Sequence, residues 1–170
     1  APKSGAASLD QYEIGPGALT VSVNTSTPGG LYNQSLGAGC GNPSAPTLYA
    51  TGTPDRALLG NSTFALRSGS NPAGTLCAFL LSTAPGSVLV APGCTAYTAN
   101  PLAMLGPVVA LADATGMATI SLAVPNNPSL EGNDLDFQML ALVPGGPLFG
   151  TFNMSSGLRI RVGNLTTSCP

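Results

Sequence analysis

Histidine and tryptophan are absent from this chain, and charge is scarce: five basic and seven acidic side chains among 170 residues. Without histidine there is no Ser–His or Cys–His nucleophile system. Without tryptophan, and with aromatics at 5%, the usual platform for stacking a sugar ring is thin. The basic residues, Lys3, Arg56, Arg67, Arg159 and Arg161, form no run, and the net charge is −2, so a nucleic-acid partner is not expected. No apolar stretch approaches the roughly 18 residues of a membrane span. A phosphate-cradling Gly-x-x-x-x-Gly-Lys loop is also missing. All seven acids have surface or turn explanations, which leaves no carboxylate pair for glycoside hydrolysis. The chain is therefore expected not to be an enzyme and to carry no cofactor.

What is there is apolar and punctuated. Apolar residues make up 44% of the sequence, against 22 glycines and 16 prolines, enough to bury a single core and to argue against disorder. Residues 1–17 read as an extended lead-in without the charged-then-apolar pattern of a leader, and a removed signal peptide is expected. Ala18–Asn24 then alternates, with Leu19, Val21 and Val23 on one side and Thr20 and Ser22 on the other, as a half-buried strand does. Thr27-Pro-Gly-Gly30 breaks it.

Further runs follow at Thr47–Thr51, Ser62–Arg67, Leu76–Leu81, Ser87–Val90, Val108–Ala112, Met117–Val124, Asp134–Val143 and Leu158–Val162. Leu76–Leu81 is apolar on both faces, as a central strand would be. Asp113-Ala-Thr-Gly116 carries hairpin chemistry between two of the runs. From Asp134 onward, Leu135, Phe137 and Met139 are expected to face inward, with Asp134, Asp136 and Gln138 outward. No amphipathic helix is readable. The pattern predicts an all-β, antiparallel β-sandwich with Greek-key, immunoglobulin-like connections and an N-terminal extension strand. Its expected divisions are an extension at 1–35 with a candidate donor strand at 18–24, a sandwich domain at 36–163, and a tail at 164–170.

Cys40, Cys77, Cys94 and Cys169 lie far apart, which suits disulfides in an oxidising compartment and not zinc. Sequence alone leaves three pairings open.

Gly37-Ala-Gly-Cys-Gly41, Ala45-Pro-Thr-Leu48, Pro92-Gly-Cys94, Asp113-Ala-Thr-Gly116, Val124-Pro-Asn-Asn-Pro-Ser-Leu130, Gly132, Gln138, Ser155-Ser-Gly-Leu158 and Val162-Gly163 occur in that order. Residues 36–163 thereby resemble a β-sandwich module recurrent in secreted and surface proteins of planctomycete-type environmental bacteria. The resemblance implies an extracellular module of poorly defined function and supplies no catalytic residues. It also implies a Cys40–Cys94 disulfide, which leaves Cys77 and Cys169 to each other, within one chain in preference to between chains. Cys77 departs from the pattern, where an aliphatic residue is expected.

Asn24, Asn33, Asn61, Asn153 and Asn164 each begin an Asn-x-Ser/Thr sequon and are candidates for covalent glycans. Glu131, Asp134 and Asp136 are weak calcium candidates. Their plainer reading is an exposed strand face opposite Arg159 and Arg161, whose spacing matches it. Together these features predict a secreted, extracellular or cell-surface structural subunit that assembles with other copies of itself into a filament or surface layer. Leu19, Val21 and Val23 would form the subunit interface by strand exchange. Residues 18–24 returning as an edge strand of their own sandwich is the competing placement. A secreted carbohydrate-binding or adhesion module is the alternative function.

Overall fold

Short apolar or alternating runs between glycine and proline breaks can satisfy their backbone groups only by pairing sideways, and in this chain they do. A computed structural model describes residues 31–99 and 104–164. The strands among them are β1 (Asn33–Gly37), β2 (Thr47–Thr51), β3 (Ala65–Gly69), β4 (Leu76–Ser82), β5 (Val88–Ala91), β6 (Cys94–Ala96), β7 (Met104–Leu111), β8 (Ala118–Ser121), β9 (Asp134–Leu142), β10 (Phe152–Met154) and β11 (Gly157–Arg161). The only helical element among the described residues is a 3-10 turn at Pro128–Leu130.

β1, β11, β9, β4 and β7 form one antiparallel sheet in that order, and β10 pairs with β9 beyond the end of β11. β2, β3 and β8 form a second sheet, and β5 and β6 a separate hairpin. Phe137, Met139 and Ala141 of β9 and Cys77 and Phe79 of β4 meet Leu48, Phe64, Leu66, Ala118 and Ile120 from the smaller sheet and its approach. Met139 and Ile160 have no exposed surface, and each such side chain contributes about 1.5–3 kcal/mol by leaving water. The fold is thus all-β, with antiparallel sheets packed face to face. β4 is central, flanked by β9 and β7, as its two-sided apolar character requires.

Three sequence expectations change. The sandwich body starts earlier than residue 36: Asn33 already pairs with Ile160, and the Tyr32 carbonyl accepts from Arg161 N at 3.0 Å. Asp113–Gly116 reverses the chain but makes no hairpin. Asp113 N donates to the Met117 carbonyl at 2.9 Å, after which β7 pairs with β4 and β8 with β3. The turn joins the two layers instead. Gly116 has a φ of +78°, and a Cβ there would collide with the Asn71 carbonyl oxygen, so this corner excludes side chains on both counts.

The third change concerns the far face of β9. Asp136 and Gln138 were expected to be exposed but are 2% and 1% accessible. Arg159 covers Asp136, and the β5–β6 hairpin and the segment after it lie over Gln138. Tyr97 N donates to Gln138 Oε1 at 2.8 Å, and Gln138 Nε2 donates to the carbonyls of Thr95 (2.9 Å) and Ser155 (3.0 Å). A second small core of Cys40, Cys94, Leu148 and Met154 sits here, with Val90, Ala91, Leu140 and Phe152 packed against it.

Candidate functional site: a cleft between the sheets

β7 and β8 meet at the Asp113–Gly116 corner as the last strands of their respective sheets among the described residues. At the end remote from that corner the layers part around a cleft of about 590 Å³. Its floor follows the sheet register. Leu81 lies beside Phe137, and Leu135 beside Ile160, with Thr83 and Val162 continuing the two outer strands. Its roof is Phe64, Leu122, Val124 and Leu130, and Ala57 closes one side. The cleft therefore crosses the inner face from the end of β4, over β9, to the end of β11.

The lining is hydrophobic because these strand ends keep the period-2 pattern after the smaller sheet has stopped. β8 ends at Ser121, yet Leu122 and Val124 still pack against the core. The polar groups Thr83, Asn133 and Asp134 complete the lining. Such a trough can hold aliphatic side chains or an alkyl group; it presents no nucleophile and no paired acid and base.

The expected carboxylates stand close by. Asp134 faces Arg161 and Asp136 faces Arg159 across β9 and β11. Both pairs are bidentate, with N–O distances of 2.7–2.8 Å. Asp134 also accepts from Tyr32 Oη at 2.9 Å, and the Arg161 guanidinium sits 4.7 Å from the Tyr32 ring centroid. Hydrogen bonding from Arg161 holds the Asp134 carboxyl below its usual range, against the opposing effect of burial. Burial, followed by the bond to Asp134, raises the Tyr32 phenol. These oxygens are committed to arginine, and no group of three or more metal-ligating side chains occurs among the described residues. Glu131 follows the 3-10 turn, where its N–H donates to the Pro128 carbonyl. Asp134 and Asp136 are thus the cross-strand ladder that their spacing against Arg159 and Arg161 suggests.

Cys40 and Cys94 form a disulfide. Cys40 also exchanges two backbone hydrogen bonds with Met154 at 2.7 and 2.8 Å, so the bridge fastens the covering hairpin to β10. Cys77 is a buried thiol inside the core, and the expected pair with Cys169 involves a residue outside the described ones. It occupies the inward position expected for an aliphatic residue, and burial pushes its thiol up to about 11. Cys169 lies outside the described residues.

Of the sequons, Asn33 is exposed on β1, with Nδ2 donating to the Asp55 carbonyl at 3.0 Å. Asn61 spends both amide hydrogens on the Pro54 and Arg56 carbonyls, at 2.9 Å each, so a glycan nitrogen there would lose at least one bond. Asn153 is 2% accessible and bonded to Asn42, which removes it as an acceptor in the folded chain. Asn164 is half-buried. Asn24 and the interface candidates Leu19, Val21 and Val23 lie outside the described residues.

The cleft itself was not legible in the sequence. The signal that marks it is the continued alternation at Leu122 and Val124 beyond the end of β8. No helix among the described residues is long and apolar enough to cross a membrane. No family model, curated protein or solved structure matches the chain.

Proposed function

We propose that this chain is a non-catalytic structural subunit of an extracellular filament or surface layer, assembled head to tail by strand exchange. The observation that supports it is the apolar cleft where the two sheets part, lined by the ends of β4, β9 and β11 and by Leu122 and Val124 after β8. Residues 18–24 supply a complementary strand: Leu19, Val21 and Val23 alternate with Thr20 and Ser22, so one face fits an aliphatic trough and the other meets solvent. One subunit's segment in the next subunit's cleft is a heterologous contact, which repeats without closing and builds a filament. The Cys40–Cys94 bridge suits an oxidising environment. Low charge suits a surface largely covered by neighbouring copies or by covalent glycan, with Asn33 the exposed sequon among the described residues.

A carbohydrate-binding role has less support. Tyr49 is on the smaller sheet, Tyr32 stacks on Arg161, and Tyr97 lies against Gly37 and Gly157, so these rings build no shared platform.

Removal of residues 1–26 tests the proposal. The expected product is a folded monomer that forms no filaments in negative-stain microscopy and binds an apolar dye more strongly than the full chain. Filaments indistinguishable from those of the full chain would exclude strand exchange through this segment.

A further inference from the structure

Leu31 and Tyr32 mark one end of the cleft. The Leu31 side chain lies against Gly163. Tyr32 reaches Asp134 through its hydroxyl and Arg161 through its carbonyl. Asp134 lines the cleft, as does Val162, which directly precedes Gly163. Leu31 and Tyr32 therefore stand at the β11 end of the very cleft that the alternating residues 18–24 would fill.

From this position we infer that residues 18–24 of each chain dock first in the cleft of their own subunit, so that the free subunit is self-capped and assembly proceeds by exchange. The inference rests on reading the cleft as a strand acceptor, and it specifies the first occupant. Six residues, 25–30, separate the segment from Leu31. Extended, they reach about 20 Å. The cleft crosses three neighbouring strands, a span of about 10 Å. Reach is therefore sufficient, and Thr27-Pro-Gly-Gly30 supplies the turn chemistry for reversing direction at the exit. A short tether of this kind holds its end at an effective concentration on the order of millimolar. The same contacts form in cis and in trans, as in domain swapping, so dilute subunits cap themselves and exchange only when crowded together or when the tether is too short.

The test places Val21→Cys and Leu122→Cys together in the full chain, with Cys169→Ser to remove a competing thiol. Oxidation is followed on non-reducing gels and by intact mass, from dilute to concentrated protein. Expected is an internally crosslinked monomer in dilute solution, with an intermolecular ladder growing as concentration rises. A ladder without the internal crosslink at any dilution would overturn self-capping and leave strand exchange standing. An internal crosslink that never gives way to a ladder would uphold self-capping and sink the polymer reading. No crosslink of either kind overturns both. A second pair, Leu19→Cys with Leu81→Cys, guards against one unfavourable geometry, and the retained Cys40–Cys94 bridge reports folding. Deleting Thr25–Pro28 leaves a tether of about 7 Å, too short for the cleft. It is expected to convert the internal crosslink into a ladder even in dilute solution, and persistence of the internal crosslink would count against the proposed path.

Discussion

Two arginine–aspartate pairs with nearly identical hydrogen bonds differ in what surrounds them. The Asp136 side chain is 3% exposed and that of Asp134 is 32% exposed. Arg159→Ala leaves a buried carboxylate without its partner and is expected to cost about 3 kcal/mol. Arg161→Ala exposes a carboxylate that water already reaches, at under about 1 kcal/mol. Chemical denaturation of the two variants should separate them clearly, and equal losses would mean that burial is not what decides. The Asp134 carboxyl is held below its unfolded value, so its stabilising contribution is complete above about pH 4 and is lost as pH falls through the lower, folded value. Acid titration of the denaturation midpoint should accordingly show less sensitivity below pH 4 in Arg161→Ala than in the parent. Cys77 is expected to resist thiol reagents in the native protein and to react once unfolded, because its thiol is both inaccessible and raised to about 11. Fast native labelling at Cys77, located by peptide mapping, would contradict its place in the core.

Among the elements, the β5–β6 hairpin depends most on a single bond. Its hydrogen bonds to β9 run largely through one side chain, Gln138, and the Cys40–Cys94 bridge closes a separation of 54 residues. A loop of that length predicts a loss of about 4 kcal/mol in a Cys40→Ala, Cys94→Ala variant on the chain-entropy account, measurable as a lowered denaturation midpoint. Hydrogen exchange should rise first over residues 88–98, since the sandwich core does not use the bridge. β7 presents a different problem. Val108, Val109 and Leu111 are about half exposed or more, and no charged residue interrupts the strand, whereas edge strands usually carry such protection. Pro107 removes one backbone donor. Leu111→Lys should reduce association between copies in light scattering while leaving the denaturation midpoint within about 0.5 kcal/mol of the parent.

For the whole molecule, alternation and turn chemistry announced the all-β class and most strand positions. Thr47–Thr51 was located to the residue, and Asp134–Val143 within one residue at its end. The Asp134/Asp136 spacing also anticipated its Arg161/Arg159 partners, because a period of two on both strands permits only one set of facing side chains once they pair. Those features are local, and the sequence determined them alone. Tertiary structure decided which strands became neighbours. The Asp113–Gly116 turn specifies a reversal but not whether its arms pair, and here β4 and β3 captured one arm each. It also decided that Asp136 and Gln138 are covered, since a polar strand face reads as exposed until another segment lies on it. The cleft beyond β8 belongs to the same category. It depends on where two sheets of unequal length stop facing each other, and no residue carries that information by itself.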